Sequence, residues 1–206
     1  MRVTPSTGLL VGVEGIDAAG KRTQSSLMEA WLRSKKIVVS AISFPDYTTV
    51  IGSEIRGFLR GTRNYPPEVR HMLFAANRWE KKRTIENLLH RSEVVIVNRY
   101  TESNLAYGVA NGLPLEWLVG LEVGLPKTDM VLILDAPVAT LYDRRNTKKD
   151  MYESDRALQE KARNAYLDLG QKFGWRVINA TEGIQDTNRL VIEAVSNLLS
   201  SRGLPF

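Results

Sequence analysis

The chain has 206 residues, 43% hydrophobic and 25% charged, the balance of an ordinary globular protein with room for a substantial core. No apolar run reaches the roughly 18 residues of a membrane span, and zero cysteines exclude a disulfide framework and thiolate metal sites. The formal charge of +5 points to nucleic acid or to phosphate-bearing small molecules; the basic residues gather in no arm or tail, so small molecules are expected, and neither nucleic acid nor membrane.

The N-terminal apolar stretch, LLVGVEG (9–15), runs straight into a glycine loop, so it lacks a secretory pattern and a cytoplasmic location is expected. Its β-branched run ending at glycine reads as a strand buried on both faces. The loop itself, GIDAAGKRT (15–23), puts Gly15, Gly20 and Lys21 where G-x-x-x-x-G-K-[ST] requires them, between a strand and a helix. In that context backbone N–H groups and the positive end of the helix converge on phosphate oxygens. Gly15, Ile16, Asp17, Ala18, Ala19, Gly20, Lys21, Arg22 and Thr23 are therefore the expected phosphate contacts, with Lys21 a point charge for the β- and γ-phosphates. The motif's metal-binding hydroxyl is replaced by Arg22, and Thr23 lies about 100° further round the helix.

Leu27, Trp31 and Leu32 then recur at helical spacing, and IVVSAISFP (37–45) reads as a second strand stopped by Pro45. Val50, Ile51, Ile55, Phe58 and Leu59 share one helical face, closed by Gly61. Pro66 and Pro67 suit a helix start, and one long segment is expected from there to about Arg91. VVIVN (94–98), MVLILD (130–135) and WRVIN (175–179) read as further strands. Helices are expected over 137–145 and 154–173, with a basic stretch between them, and from about Thr187 to Ser200. This alternation predicts one α/β domain, 1–206: a five-stranded parallel sheet flanked by helices on both faces. Ligands of such sheets sit beyond the strand C-termini, where Gly15, Pro45, Asn98 and Asp135 lie. The nearest match to a guanine-reading N-K-x-D is NTKKD (146–150), one residue too long and after a helix, which argues against a signalling GTPase.

FPDYTTVIGSEI (44–55), HMLFAANRWE (71–80), NRYTESNLAYG (98–108), GLPKTDMVLILD (124–135) and MYESDRALQ (151–159) join EGIDAAGK (14–21) as an ordered set. In order, spacing and content the set resembles the thymidylate kinases, from about Leu9 to Asn188. The resemblance implies a P-loop kinase fold with a short lid at about 143–153. It also implies transfer of the ATP γ-phosphate to dTMP, use of Mg²⁺, and a homodimer. It implies that Phe74 stacks on thymine while Arg78, on the same helical face, donates to O4. Asn104, with an amide acceptor and an amide donor, would match N3–H and O4 and reject cytosine. Tyr107 would pack where a ribose 2′-hydroxyl projects. Arg99 would clamp the dTMP phosphate with its planar fork, beside Tyr47, Phe44 and, from the lid, Tyr152.

Positive charge is needed around the moving phosphoryl group. With Ala18 and Ala19 in the loop, it is expected from Arg144 and Arg145 of the lid, accompanied by Lys148 and Lys149. Asp17, Lys21, Arg99, Arg144 and Arg145 form the expected catalytic set. Mg²⁺ takes oxygen ligands and keeps several waters, so it is expected to lean on Asp17 and Glu153, phosphate oxygens and water. Asn98 stands where the family's aspartate precedes Arg99, and Asp135 is a candidate for the missing acid. Two alternatives stay open beside the dTMP kinase. One is a weakly active or inactive paralogue that binds deoxythymidine nucleotides; the other is a kinase for another pyrimidine deoxynucleoside monophosphate.

Overall fold

A computed structural model describes residues 8–142 and 150–204. Five strands form one parallel sheet: β1 (Leu9–Glu14), β2 (Val39–Ser43), β3 (Val94–Asn98), β4 (Met130–Asp135) and β5 (Arg176–Asn179), in the order β2-β3-β1-β4-β5. Successive side chains alternate between faces. Val94 and Ile96 of β3 join a core with Met28 and Leu32 of α1 (Lys21–Ser34); Val95 and Val97 join another with Ile85 and Leu88 of α4 (Lys82–Arg91). The sheet is thus covered on both sides, which is why its central strands are apolar almost throughout. Burying one such valine, leucine or isoleucine side chain stabilises by about 1.5–3 kcal/mol.

Registers bring the functional ends together. Val13 lies opposite Asn98, and Glu14 opposite Ile133, so the chain leaves β1, β3 and β4 on the same edge. The expected strands are all present, with β2 shorter than expected at both ends.

Two helical expectations change. The segment from Pro67 to Arg91 is two helices, α3 (Pro67–Trp79) and α4, broken at Glu80 and Lys81 without glycine or proline; Lys81 Nζ pairs with Asp46 at 2.7 Å and ties the break to the turn after β2. In α2 (Val50–Leu59), Ile55, Phe58 and Leu59 are buried, but Val50, at the first position, is 83% exposed. In α3 the buried face carries His71, Asn77 and Arg78, while Met72 and Trp79 look outward. The polar side of that helix faces inward because it walls a cleft.

The remaining helices are α5 (Thr101–Ala110), α6 (Leu115–Glu122), α7 (Val138–Tyr142), α8 (Met151–Ser154), α9 (Arg156–Phe173) and α10 (Ile184–Ser201). Among the described residues no helix is long and apolar enough to cross a membrane.

Candidate active site

At the C-terminal edge of the sheet lies a cleft of about 690 Å³. Asp17, Ala18, Gly20, Lys21, Arg22 and Thr23 line one end of it; Gly15, Ile16 and Ala19 support the loop from behind, the last two buried in the core. Gly15 adopts φ +128°, and a Cβ there would stand 2.5 Å from the Leu134 carbonyl oxygen, so only glycine lets β1 turn so close to β4. Gly20 is the N-cap of α1 and no side chain caps it, so the first-turn N–H groups face the cleft, the arrangement that binds anions. Lys21 Nζ donates to the carbonyls of Gly15 (3.0 Å) and Ile16 (2.8 Å), holding its charge across the loop.

Arg99 follows β3 with φ +57°, its N–H 3.3 Å from the Val13 carbonyl oxygen. Its guanidinium pairs with Asp17 and lies 5.6 Å from the centre of the Tyr107 ring. Burial is the largest single influence and works against that charge, but Asp17, Tyr107, Tyr166 and Glu14 together outweigh it and leave the guanidinium pKa well above its ordinary value. Asp17 also accepts from Gln159 Nε2 (3.0 Å) and the Tyr107 hydroxyl (3.3 Å). Asp17, the expected metal ligand, is engaged in this arrangement by Arg99, while α5 and α9 supply its other partners. Among the described residues no cluster of three or more His, Cys, Asp or Glu is placed to hold a metal. The side chain of Glu153 lies outside the described residues, as do Arg144, Arg145, Lys148 and Lys149.

Asn98 lines the cleft and accepts from the Ser25 hydroxyl at 2.8 Å. Asp135 cannot stand in for a missing acid there, because Arg163 of α9 engages both its oxygens at 2.7 and 2.9 Å. Phe44, Pro45 and Tyr47 form a side wall, with Arg56 stacked 5.0 Å from the Tyr47 ring centre.

The far wall comes from α3, α5 and α8. Phe74, Arg78, Asn104, Tyr107 and Tyr152 all line it. The Tyr107 and Tyr152 rings stack at 5.6 Å and 12°, and Phe58 meets Tyr152 edge-on at 5.4 Å. Asn104 departs from expectation. Its Nδ2 donates to Glu122 Oε1 (2.7 Å) and the His71 carbonyl oxygen (3.3 Å), so the amide has no hydrogen left for a ligand. Arg78 turns its Nε and Nη2 to Glu122, with Nε 3.0 Å from Oε2.

Three residues of this constellation were assigned no role from the sequence. Gln159 closes the MYESDRALQ stretch without a role read from it, and Glu122 lies in no quoted stretch; only the burial of its side chain, 8% exposed, marks it. Glu14 left a trace, a carboxylate inside the apolar run of β1. It is fully buried and accepts from the Tyr100 N–H (2.6 Å), the Ser103 hydroxyl (2.6 Å) and the Tyr166 hydroxyl (2.8 Å).

A parallel sheet with a phosphate loop after β1, and a second cationic anchor after β3 in the same cleft, defines the P-loop phosphotransferases. The thymidylate kinase family model matches residues 13–191. The chain is 32% identical to a thymidylate kinase of Dictyostelium discoideum, covering 94% of this chain and 84% of that one. It is 35% identical to a probable thymidylate kinase of Thermococcus gammatolerans, covering 94% and 99%. The solved thymidylate kinase of Candida albicans superposes with a TM-score of 0.84 at 26% identity, over 98% of this chain and 96% of that one. The chain belongs to the thymidylate kinase family.

Proposed function

We propose that the chain transfers the γ-phosphoryl group of ATP to the 5′-phosphate of dTMP, giving ADP and dTDP. The observation that carries this reading is one cleft joining the uncapped N-terminus of α1 to the Phe74–Arg78–Asn104 wall, with Arg99 reaching both Asp17 and the Tyr107 ring. ATP lays its phosphates on the loop beneath Lys21, and dTMP stacks its base against Phe74. Arg99 turns from Asp17 to the acceptor phosphate, whose oxygen attacks the γ-phosphorus while the bond to the bridging β–γ oxygen breaks. No covalent enzyme intermediate is needed; the chain contributes placement and fixed positive charge.

Arg144 and Arg145, from the basic stretch that the family resemblance reads as a lid, are the proposed source of further charge for the γ-phosphate. Bound Mg²⁺ would supply charge neutralisation at the phosphates; Asp17, once Arg99 has left it, and Glu153 would hold it together with phosphate oxygens and water. The outward apolar residues Met72 and Trp79 of α3 and Val119 and Val123 near α6 support the homodimer, with a second copy covering them. We place the enzyme in the cytoplasm.

The test is ADP release from ATP with dTMP, dUMP, dCMP, dGMP and AMP in turn. Turnover should be far faster with dTMP than with dCMP, dGMP or AMP. Equal rates with dCMP would overturn the thymine assignment. Tight dTMP binding without ADP release would favour the inactive-paralogue reading instead.

A further inference from the structure

Behind the base wall runs a hydrogen-bond chain whose polarity follows from its heavy atoms. Glu122 Oε1 and the His71 carbonyl oxygen flank one atom of the Asn104 amide, at 2.7 and 3.3 Å. Both flanking atoms are acceptors, so that amide atom is the nitrogen, and both its hydrogens are used. The amide oxygen then faces His71 Nδ1 at 2.7 Å and can only accept, so Nδ1 carries a proton. Across the ring, Asn111 Nδ2, fixed by a 2.8 Å bond to the Tyr107 carbonyl oxygen, approaches His71 Nε2 at 3.3 Å; Nε2 is therefore the acceptor. His71 is fully buried, and burial holds its imidazole down to a pKa of about 4, in keeping with a neutral ring.

The same Glu122 carboxylate binds Arg78 through Nε and Nη2, so one group on α6 touches both residues of the base wall. Asn104 has only lone-pair capacity left to offer the cleft, and Arg78 has only hydrogens. Thymine and uracil present the complement, a donor at N3 and an acceptor at O4; cytosine presents the reverse. We infer that Glu122 is a specificity-determining positioning residue: its carboxylate fixes Asn104 as an acceptor and Arg78 as a donor, and so selects pyrimidines that donate from N3. This rests on the placement of the base proposed above. No motif of the sequence singles out Glu122, and it does not line the cleft itself.

A carboxylate forbids the flipped Asn104 amide, because two oxygens would then face each other. A glutamine at 122 can donate as well as accept, so it lifts the shorter of the two constraints on the amide and leaves the flip opposed by His71 alone. Glu122→Gln should therefore lower the dTMP:dCMP ratio of kcat/KM by about tenfold or more. Glu122→Asp, which keeps the charge, should hold the ratio near wild type even if both rates fall. A role in stability alone would depress both substrates equally, and an unchanged ratio in active Glu122→Gln overturns the inference.

Should that variant fail to accumulate, the wild-type protein decides. Its histidine ¹⁵N spectrum at neutral pH should show His71 protonated on Nδ1; an Nε2-protonated ring reverses the chain's polarity and overturns the inference. That spectrum does not depend on turnover, so a wild type that releases no ADP with dTMP would count against the proposed function and leave the polarity result standing.

Discussion

Arg99 holds a left-handed backbone, φ +57°, which costs a non-glycine residue about 1–3 kcal/mol. The position keeps arginine because the turn after β3 aims the guanidinium at Asp17 and the cleft. Strain and chemistry can be separated with two variants. Arg99→Ala and Arg99→Gly should both lower kcat/KM for dTMP by about 2–5 kcal/mol, roughly 30-fold to several thousand-fold. Arg99→Gly should melt higher than Arg99→Ala, because glycine accepts the left-handed turn without penalty. If either enzyme stays within twofold of wild type, Arg99 is not the phosphate clamp. At this scale the sequence was readable wherever a residue type belongs to a spaced motif, as with Lys21, Arg99 and Phe74. It was silent on which of those residues engage each other before a ligand arrives. The Asp17–Arg99 pair links positions 82 residues apart, and no local pattern encodes such a pairing.

Among the elements, the strands were legible because each apolar run stops at a residue that breaks pairing or begins chemistry. Helix α5 was not singled out, and its burial explains why. Glu102, Asn104, Leu105, Ala106, Tyr107 and Gly108 are all buried, so polar and apolar residues face inward alike and no 3.6-residue apolar stripe forms. Helix α3 misleads in a related way, since His71, Asn77 and Arg78 are the buried side. The opposite side gives a direct test of the homodimer. Met72 is 44% exposed, so Met72→Glu should fold normally while placing charge in the proposed contact. Light scattering should show the wild type as a dimer and Met72→Glu shifted towards monomer; a wild-type monomer at micromolar concentration would remove that proposal.

At the scale of the whole molecule, the buried groups His71 and Glu102 titrate with opposite effects on stability. His71 has its pKa lowered by burial to about 4, so the unfolded chain binds the extra proton between roughly pH 4 and 6.5. Its contribution, on the order of 3 kcal/mol, is full above that window and lost as pH falls through it. Glu102 has its carboxyl pKa raised, first by burial and then by the Glu14 carboxylate; one oxygen accepts from the Thr128 hydroxyl at 2.7 Å, and the other has no hydrogen-bond partner among the described residues. Its contribution is full at acid pH and lost as pH rises through the raised value. The two slopes oppose each other between about pH 4.5 and 6.5. Replacing Glu102 by glutamine removes one of them. Urea melts of Glu102→Gln should show higher stability than wild type at pH 8 and a steeper loss towards pH 4.5. An equal change at every pH would mean that the ionisation of Glu102 is not costly in the folded state.

Glu14 bonds the backbone of Tyr100 and the hydroxyls of Ser103 and Tyr166, so it joins the end of β1 to the start of α5 and the middle of α9. None of these hydrogen bonds involves His71, Asn104, Glu122 or Arg78. The hydrogen bonds that keep the phosphate loop in register with Arg99 are thus distinct from those that read the base, although both sets are anchored on α5. An enzyme built this way is modular under mutation. Descendants can drift towards a new acceptor base through Glu122 and its neighbours while retaining the geometry of phosphoryl transfer. A change at Glu14 would instead disturb every substrate at once.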